Sequence, residues 1–151
     1  MYRHVQESPF HWLLHLLAAF LFFVVWQTQK DPAPTIVAAV AAFAVLFFAL
    51  SIRTLTISDQ GEYLDVRYGP LNLLGTKIAY RDITAVEPGK TSVIDGWGIH
   101  FIPFRGWTFN LWGFECVRIS LGAKVIRIGT DDSANLAAFL RERMTETTPT
   151  T

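Results

Sequence analysis

The runs FHWLLHLLAAFLFFVVW, Phe10–Trp26, and TIVAAVAAFAVLFFALSI, Thr35–Ile52, decide the architecture of this chain. Neither contains Asp, Glu, Lys or Arg, and only eight residues separate them. A helix needs ~20 apolar residues, within roughly 17–25, to cross the hydrocarbon of a bilayer. Backbone polar groups in hydrocarbon must be paired within their own segment, so two helices joined by a tight turn are expected, over about residues 10–27 and 34–52. Residues 1–52 thus read as a transmembrane hairpin and residues 53–146 as a water-facing domain, with a disordered tail at 147–151.

Charge divides the chain at the same place. Of 13 basic and 13 acidic side chains, only Arg3, Lys30, Glu7 and Asp31 precede residue 53. The remainder is balanced, which argues against a nucleic-acid partner, since that would call for Lys and Arg clustered on one face. One cysteine, Cys116, excludes an intrachain disulfide and a Cys-based zinc site. The first run is longer than the apolar core of a signal peptide, and Trp26-Gln-Thr-Gln-Lys-Asp-Pro lacks a small-x-small cleavage site, so the segment is expected to be retained. Arg3, Arg53 and Arg67 flank one side of the hairpin and Lys30 the other. The positive-inside rule then places both termini in the cytoplasm.

Trp12 and Trp26 sit near opposite ends of the first helix, as indoles anchored at the two interfaces do, and Arg53 follows the second helix at the headgroup level. Pro32 and Pro34 suit the turn and the first turn of helix two, where a missing N–H costs little. Ala38 and Ala42 have the four-residue spacing that lets membrane helices approach closely. His11 and His15, with His4 two turns earlier if the helix starts early, form a stripe that could hold a metal or haem. Ala18 and Phe22 continue that stripe, so the plainer reading is a helix-packing face. No cofactor is expected.

From Arg53 the pattern changes to short segments of period-two alternation broken by Gly, Pro and Asn. Leu55 and Ile57, Leu64 to Tyr68, Ile78 and Tyr80, and Ile83 to Val86 (ending before Pro88-Gly89) read as strands. So do Trp97 to Phe101, Trp107 to Leu111, Val117 to Leu121, and Ile126 with Ile128. About seven strands with hairpin connections indicate an antiparallel sandwich or barrel. Asp131-Asp132 then offers capping oxygens, and Leu136, Phe139, Leu140 and Met144 recur at helical spacing, predicting an amphipathic helix over about 132–145 that covers one end of the sheet.

Gly96-Trp97-Gly98, Arg105-Gly106-Trp107 and Val125-Ile-Arg-Ile-Gly-Thr-Asp-Asp132 before Leu136-Ala-Ala-Phe-Leu140 carry a family likeness. Residues 53–145 resemble the bacterial pleckstrin-homology-like (PH-like) domains found behind membrane helices in small bacterial proteins. The resemblance implies an α+β membrane protein of the bacterial inner membrane: a two-helix hairpin followed by a PH-like antiparallel barrel with a C-terminal capping helix. Such proteins usually have no assigned activity, and no catalytic residue carries over.

The residues themselves supply no catalytic constellation. Ser92, Asp95 and His100 fall close in sequence without a recognisable nucleophile motif. Cys116 shares a strand face with Arg118, which could lower its thiol pKa, but a small buried filler explains it as well. Gly96, Gly98 and Gly106 lack the following helix that a phosphate loop requires. The expected function is therefore a non-enzymatic interaction or scaffolding module, integral to the bilayer, with a membrane-protein partner or a second copy. Its expected docking residues are Phe104, Arg105, Trp107 and Trp112, the last being out of phase with the apolar side of its strand. An alternative is an anionic-headgroup sensor using Lys90 and Arg105, if both lie at one end of the barrel. A further alternative is a metal or haem protein using His4, His11 and His15.

Overall fold

The computed structural model describes residues 1–91 and 97–147. In chain order these form β1 (Arg3–Glu7), α1 (His11–Thr28), α2 (Pro32–Ser51), β2 (Thr54–Asp59), β3 (Tyr63–Gly69), β4 (Leu74–Ala79) and a 3₁₀ turn (Tyr80–Asp82). There follow β5 (Ala85–Lys90), β6 (Gly98–Ile102), β7 (Gly106–Asn110), β8 (Glu115–Leu121), β9 (Lys124–Gly129) and α3 (Ser133–Thr147). The fold class is α+β, with two long apolar helices near the N-terminus, two sheets and a C-terminal helix.

Helices α1 and α2 are each long and apolar enough to cross a membrane. They pack on each other through small residues: Ala18 of α1 is buried, as are Ala38, Ala42 and Ala49 of α2. Phe22 meets Phe43 edge-on at 5.3 Å between ring centroids. Asp31 starts α2 with Pro32 and Pro34 in its first turn. The Thr35 hydroxyl also donates to the Thr28 carbonyl, fastening one helix to the other at the bend. Most of the remaining apolar surface has no protein over it, Trp12 and Trp26 included. A soluble protein rarely exposes apolar area on that scale.

The first sheet has the order β1-β2-β3-β4 and is antiparallel throughout. Its first strand corrects the expectation that residues 1–52 belong to the hairpin alone: Arg3–Glu7 pairs with Thr54–Ser58, so the helices interrupt a β-hairpin instead of preceding the domain. The short, mixed run Arg3-His-Val-Gln-Glu7 looks like a leader because only Gln6 of the five is buried. Its stabilisation comes from ladder hydrogen bonds, continued at the ends by Asp59 N–H to the Tyr2 carbonyl (2.8 Å) and Ser8 N–H to the Arg53 carbonyl (2.9 Å).

The second sheet has the order β5-β8-β9-β7-β6, and β7 pairs with β9 in parallel. Among the described residues nine strands with one parallel pair thus replace the expected seven or so antiparallel ones. The parallel pair follows from connectivity. The β8–β9 hairpin folds back between β8 and the preceding strand, so β9, antiparallel to β8, runs alongside β7 in the same direction. Strand β5 also continues through Pro88 and Gly89, expected to end it; as an edge strand paired only with β8, it can present proline's missing N–H outward.

Between the sheets lies one core. Leu55, Ile57, Leu64, Val66, Tyr68 and Ile78 come from the first sheet, and Val86, Phe109, Val117, Ile119 and Ile128 from the second. Helix α3 covers it with Leu136, Ala137 and Leu140, and the expected stripe is completed by Phe139 and Met144 at the margin. The helix begins one residue later and runs two residues further than expected, so Thr147 belongs to it; the rest of the expected tail lies outside the described residues.

Candidate functional site

The β6–β7 hairpin is built to display its turn. Arg105 N–H donates to the Ile102 carbonyl at 3.0 Å, and Phe104 between them has φ +66°. A bulky L-residue is uncommon in that left-handed region because its Cβ crowds the backbone. Phe104 is nevertheless fully exposed and Phe101 more than half exposed. Two fixtures hold the turn from below. The Arg127 guanidinium donates to the Arg105 carbonyl. Gly106, at φ +86°, lies so close to β9 that a Cβ there would sit 2.1 Å from the Val125 carbonyl oxygen. Only glycine permits that approach.

Trp107 stacks obliquely against Phe101 (5.6 Å) and Phe109 (6.4 Å). These three side chains share the inward face of their strands, as the alternation implies. Even so, Trp107 remains 48% exposed whereas Phe109, two residues further along the same face, is buried. A cavity of about 480 Å³ opens there, lined by Phe101, Phe104, Arg105, Trp107 and Lys124 among others, with no carboxylate in its wall. It offers aromatic surface and two cations.

Trp112 is placed differently from expectation. It is half-buried and packs against the core, its backbone carbonyl accepting from Gln6 Nε2 at 3.3 Å. Being out of phase with Phe109 and Leu111 does not expose it, because β7 has already ended at Asn110 and strand parity no longer applies. Lys90 and Arg105 also separate. Lys90 pairs with Glu115 at one end of the second sheet, whereas Arg105 lies level with Lys124 and Leu121 at the other. Strand length sets that separation at roughly 15 Å or more. Lys124, which sequence reasoning passed over, is the cation beside Arg105; only the unexpected parallel β7–β9 register brings them together.

The histidines do not form one stripe. His4 is on β1, where its Nε2 lies 2.6 Å from Asp131 Oδ1. His11 and His15 remain four apart on α1, each with Nδ1 against a backbone carbonyl, of Ser8 (2.6 Å) and His11 (2.7 Å) respectively. Among the described residues no group of three His, Cys, Asp or Glu side chains could hold a metal ion. His100 faces Thr108 across β6–β7, and its Nε2 and the Thr108 hydroxyl are both buried with no hydrogen-bond partner. Ser92, Asp95 and Gly96 lie outside the described residues. Cys116 is buried.

Most of the perturbed titratable groups gather beside α3, where Tyr80 and Asp59 each line a cavity. Burial tends to raise the Asp59 pKa, but the Gly61 N–H, the Tyr80 hydroxyl (2.9 Å) and Arg143 (2.8 Å) outweigh it and hold the carboxyl below its usual range. Arg143 also lies over the Tyr80 and Phe139 rings. Tyr80 and Tyr2 are pushed up, first by burial and then by the carboxylates they donate to, Asp59 and Asp132. Tyr68 is raised by burial, its hydroxyl 3.2 Å from the Gly98 carbonyl. Apart from the local Gly61–Asp59 bond, these contacts join segments distant in sequence, which makes them fasteners of the fold. No protein-family model matches the chain, and neither a curated protein nor a solved structure is significantly similar to it.

Proposed function

We propose that this is a membrane-anchored, non-enzymatic interaction module of a bacterial inner membrane, in which a two-helix hairpin confines a PH-like domain to the cytoplasmic surface. The observation that carries the reading is Phe104: a bulky apolar side chain, fully exposed and held at φ +66° by a turn fixed to β9. Strained backbone at an exposed apolar tip points from geometry toward use, since folding alone gains nothing from it. Phe101 and Trp107 extend the tip into a rigid aromatic surface of the kind that anchors protein interfaces.

The β1–β2 pairing supports the topology. If both helices span, their outer ends must lie on the same side, because Arg3–Glu7 is hydrogen-bonded to Thr54–Ser58. The Arg-rich flanks Arg3, Arg53 and Arg67 then favour the cytoplasm. Confinement to a surface raises the effective concentration of the domain toward membrane partners without any added contact.

A photo-crosslinking residue at position 104 in full-length protein, irradiated in native membranes, tests the reading. A discrete heavier protein adduct, absent when the same residue is placed at Glu87, is expected. Labelling of lipid alone would reject protein docking in favour of a headgroup site at Arg105 and Lys124, which the carboxylate-free cavity there also suits. No adduct would reject both.

A further inference from the structure

Four side chains outside the Phe104 turn share another property. Leu71, Leu73 and Leu74, in the β3–β4 connection and the start of β4, and Trp97, just before β6, are all exposed. The sheet registers place them at one end of the domain. Leu74 pairs with Tyr68, Tyr68 with Leu55, and Leu55 with Gln6, one residue from the point where β1 leaves for α1. The Tyr68 hydroxyl reaches the Gly98 carbonyl, so the start of β6 is at this end too. Leu73 and Leu74 line a cavity of about 410 Å³ with Ile99 and Trp107. Trp97 stacks on Phe10, the residue that opens α1, with centroids 5.2 Å apart.

We propose that Leu71, Leu73, Leu74 and Trp97 form a foot that enters the interfacial layer of the leaflet from which α1 and α2 emerge, holding the domain in one orientation on the bilayer. The inference rests on the reading of α1 and α2 as membrane-spanning helices. Phe10 supplies the continuity: the residue at the mouth of the first apolar helix is in ring contact with the foot, so both lie at one depth. Indoles are favoured at the boundary between headgroups and acyl chains, and leucines just below it gain from leaving water. Arg53 is exposed at the junction of α2 with β2, where a cation meets the headgroups. Phe104 lies beyond the far end of β6 from Trp97, so a foot of this kind leaves the Phe104 turn clear of the leaflet.

The test places an environment-sensitive fluorophore at Leu73→Cys in the full chain, reconstituted into vesicles of mixed neutral and anionic phospholipid. Buried Cys116 remains unlabelled under native conditions, and unlabelled protein serves as the blank. A Glu87→Cys label is the aqueous reference. The expected result is a blue-shifted emission at position 73 and loss of most of its intensity to a lipid-attached quencher, with neither effect at position 87. Water-like emission at 73 in vesicles that still retain the protein after alkaline carbonate extraction would overturn the foot while leaving the anchor intact. Release of the protein by carbonate would overturn the anchor and the foot with it. A blue shift that vanishes when the protein is diluted into excess lipid would identify a second copy as the occupant and overturn bilayer contact.

Discussion

His4 Nε2 lies 2.6 Å from Asp131 Oδ1, joining residues 127 positions apart across the whole span of the chain. An ionised carboxylate only accepts, so the imidazole donates from Nε2. Two residues earlier the Tyr2 hydroxyl donates to Asp132 Oδ2 at 2.9 Å, and the Tyr2 ring stacks on Phe139 at 5.3 Å. The strand before the hairpin is thereby fastened to the start and the flank of the last helix. The domain cannot be completed by residues after the hairpin alone, and the two apolar helices leave it from a loop between paired strands.

That fastening has a measurable cost when broken. Tyr2→Phe keeps the ring contact and removes a hydrogen bond to a charged acceptor, worth about 1.5–3 kcal/mol. The melting midpoint of the detergent-solubilised full chain should fall by roughly 3–12 °C, at about 2–4 °C per kcal/mol for a chain of this size. An unchanged midpoint would mean that β1 contributes little to closure.

Acid should loosen the opposite edge of α3. Asp59 has only 4% of its side chain exposed and ion-pairs with Arg143. Its folded pKa lies below the ordinary value, so the fold favours the ionised form. That stabilisation is complete above the unfolded pKa of about 3.9 and disappears as pH falls through the folded value. Melting midpoints of the wild type should therefore drop more steeply below pH ~4 than those of Asp59→Asn, which starts lower at neutral pH and lacks this titration. Parallel curves for the two proteins would contradict the assignment.

Gly98 and Gly106 both have positive φ but should respond differently to alanine. At Gly98 the new Cβ meets open space, leaving only backbone strain, of order 1–3 kcal/mol. At Gly106 it meets the Val125 carbonyl oxygen at 2.1 Å, so β7 must move from β9. Gly106→Ala should give little folded protein in detergent, whereas Gly98→Ala should give folded protein with a modestly lowered midpoint. Equal behaviour would argue against the close β7–β9 approach.

These relationships mark where sequence reading works on this chain and where it stops. The hairpin was legible because two long uncharged runs bracket Asp31-Pro32, and the α3 stripe because Leu136 and Leu140 repeat at the helical period. Strand β1 was not, since an edge strand held by ladder bonds needs no apolar alternation. The half-burial of Trp112, expected among the docking residues, was also hidden. Alternation assigns a face, not how fully it is covered, and no local pattern encodes the parallel β7–β9 register. Lys124 stayed unnoticed beside Arg105 for the same reason.

Phe104 and Trp112, expected to act together, should therefore separate under substitution. Trp112→Ala removes a half-buried ring packed on the core and should destabilise by about 2 kcal/mol or more, within the lower part of the range for core truncations. Phe104→Gly removes a side chain that touches little and relieves a left-handed φ, which for an L-residue costs roughly 1–2 kcal/mol. The glycine variant should melt a few degrees higher than the wild type while losing adduct formation when the crosslinker is moved to position 101. Stability gained as docking is lost is the expected exchange at a site where strain serves binding. A glycine variant that keeps its partner would show that Phe104 is dispensable to docking. One that melts lower would show that its ring packs somewhere this turn does not reveal.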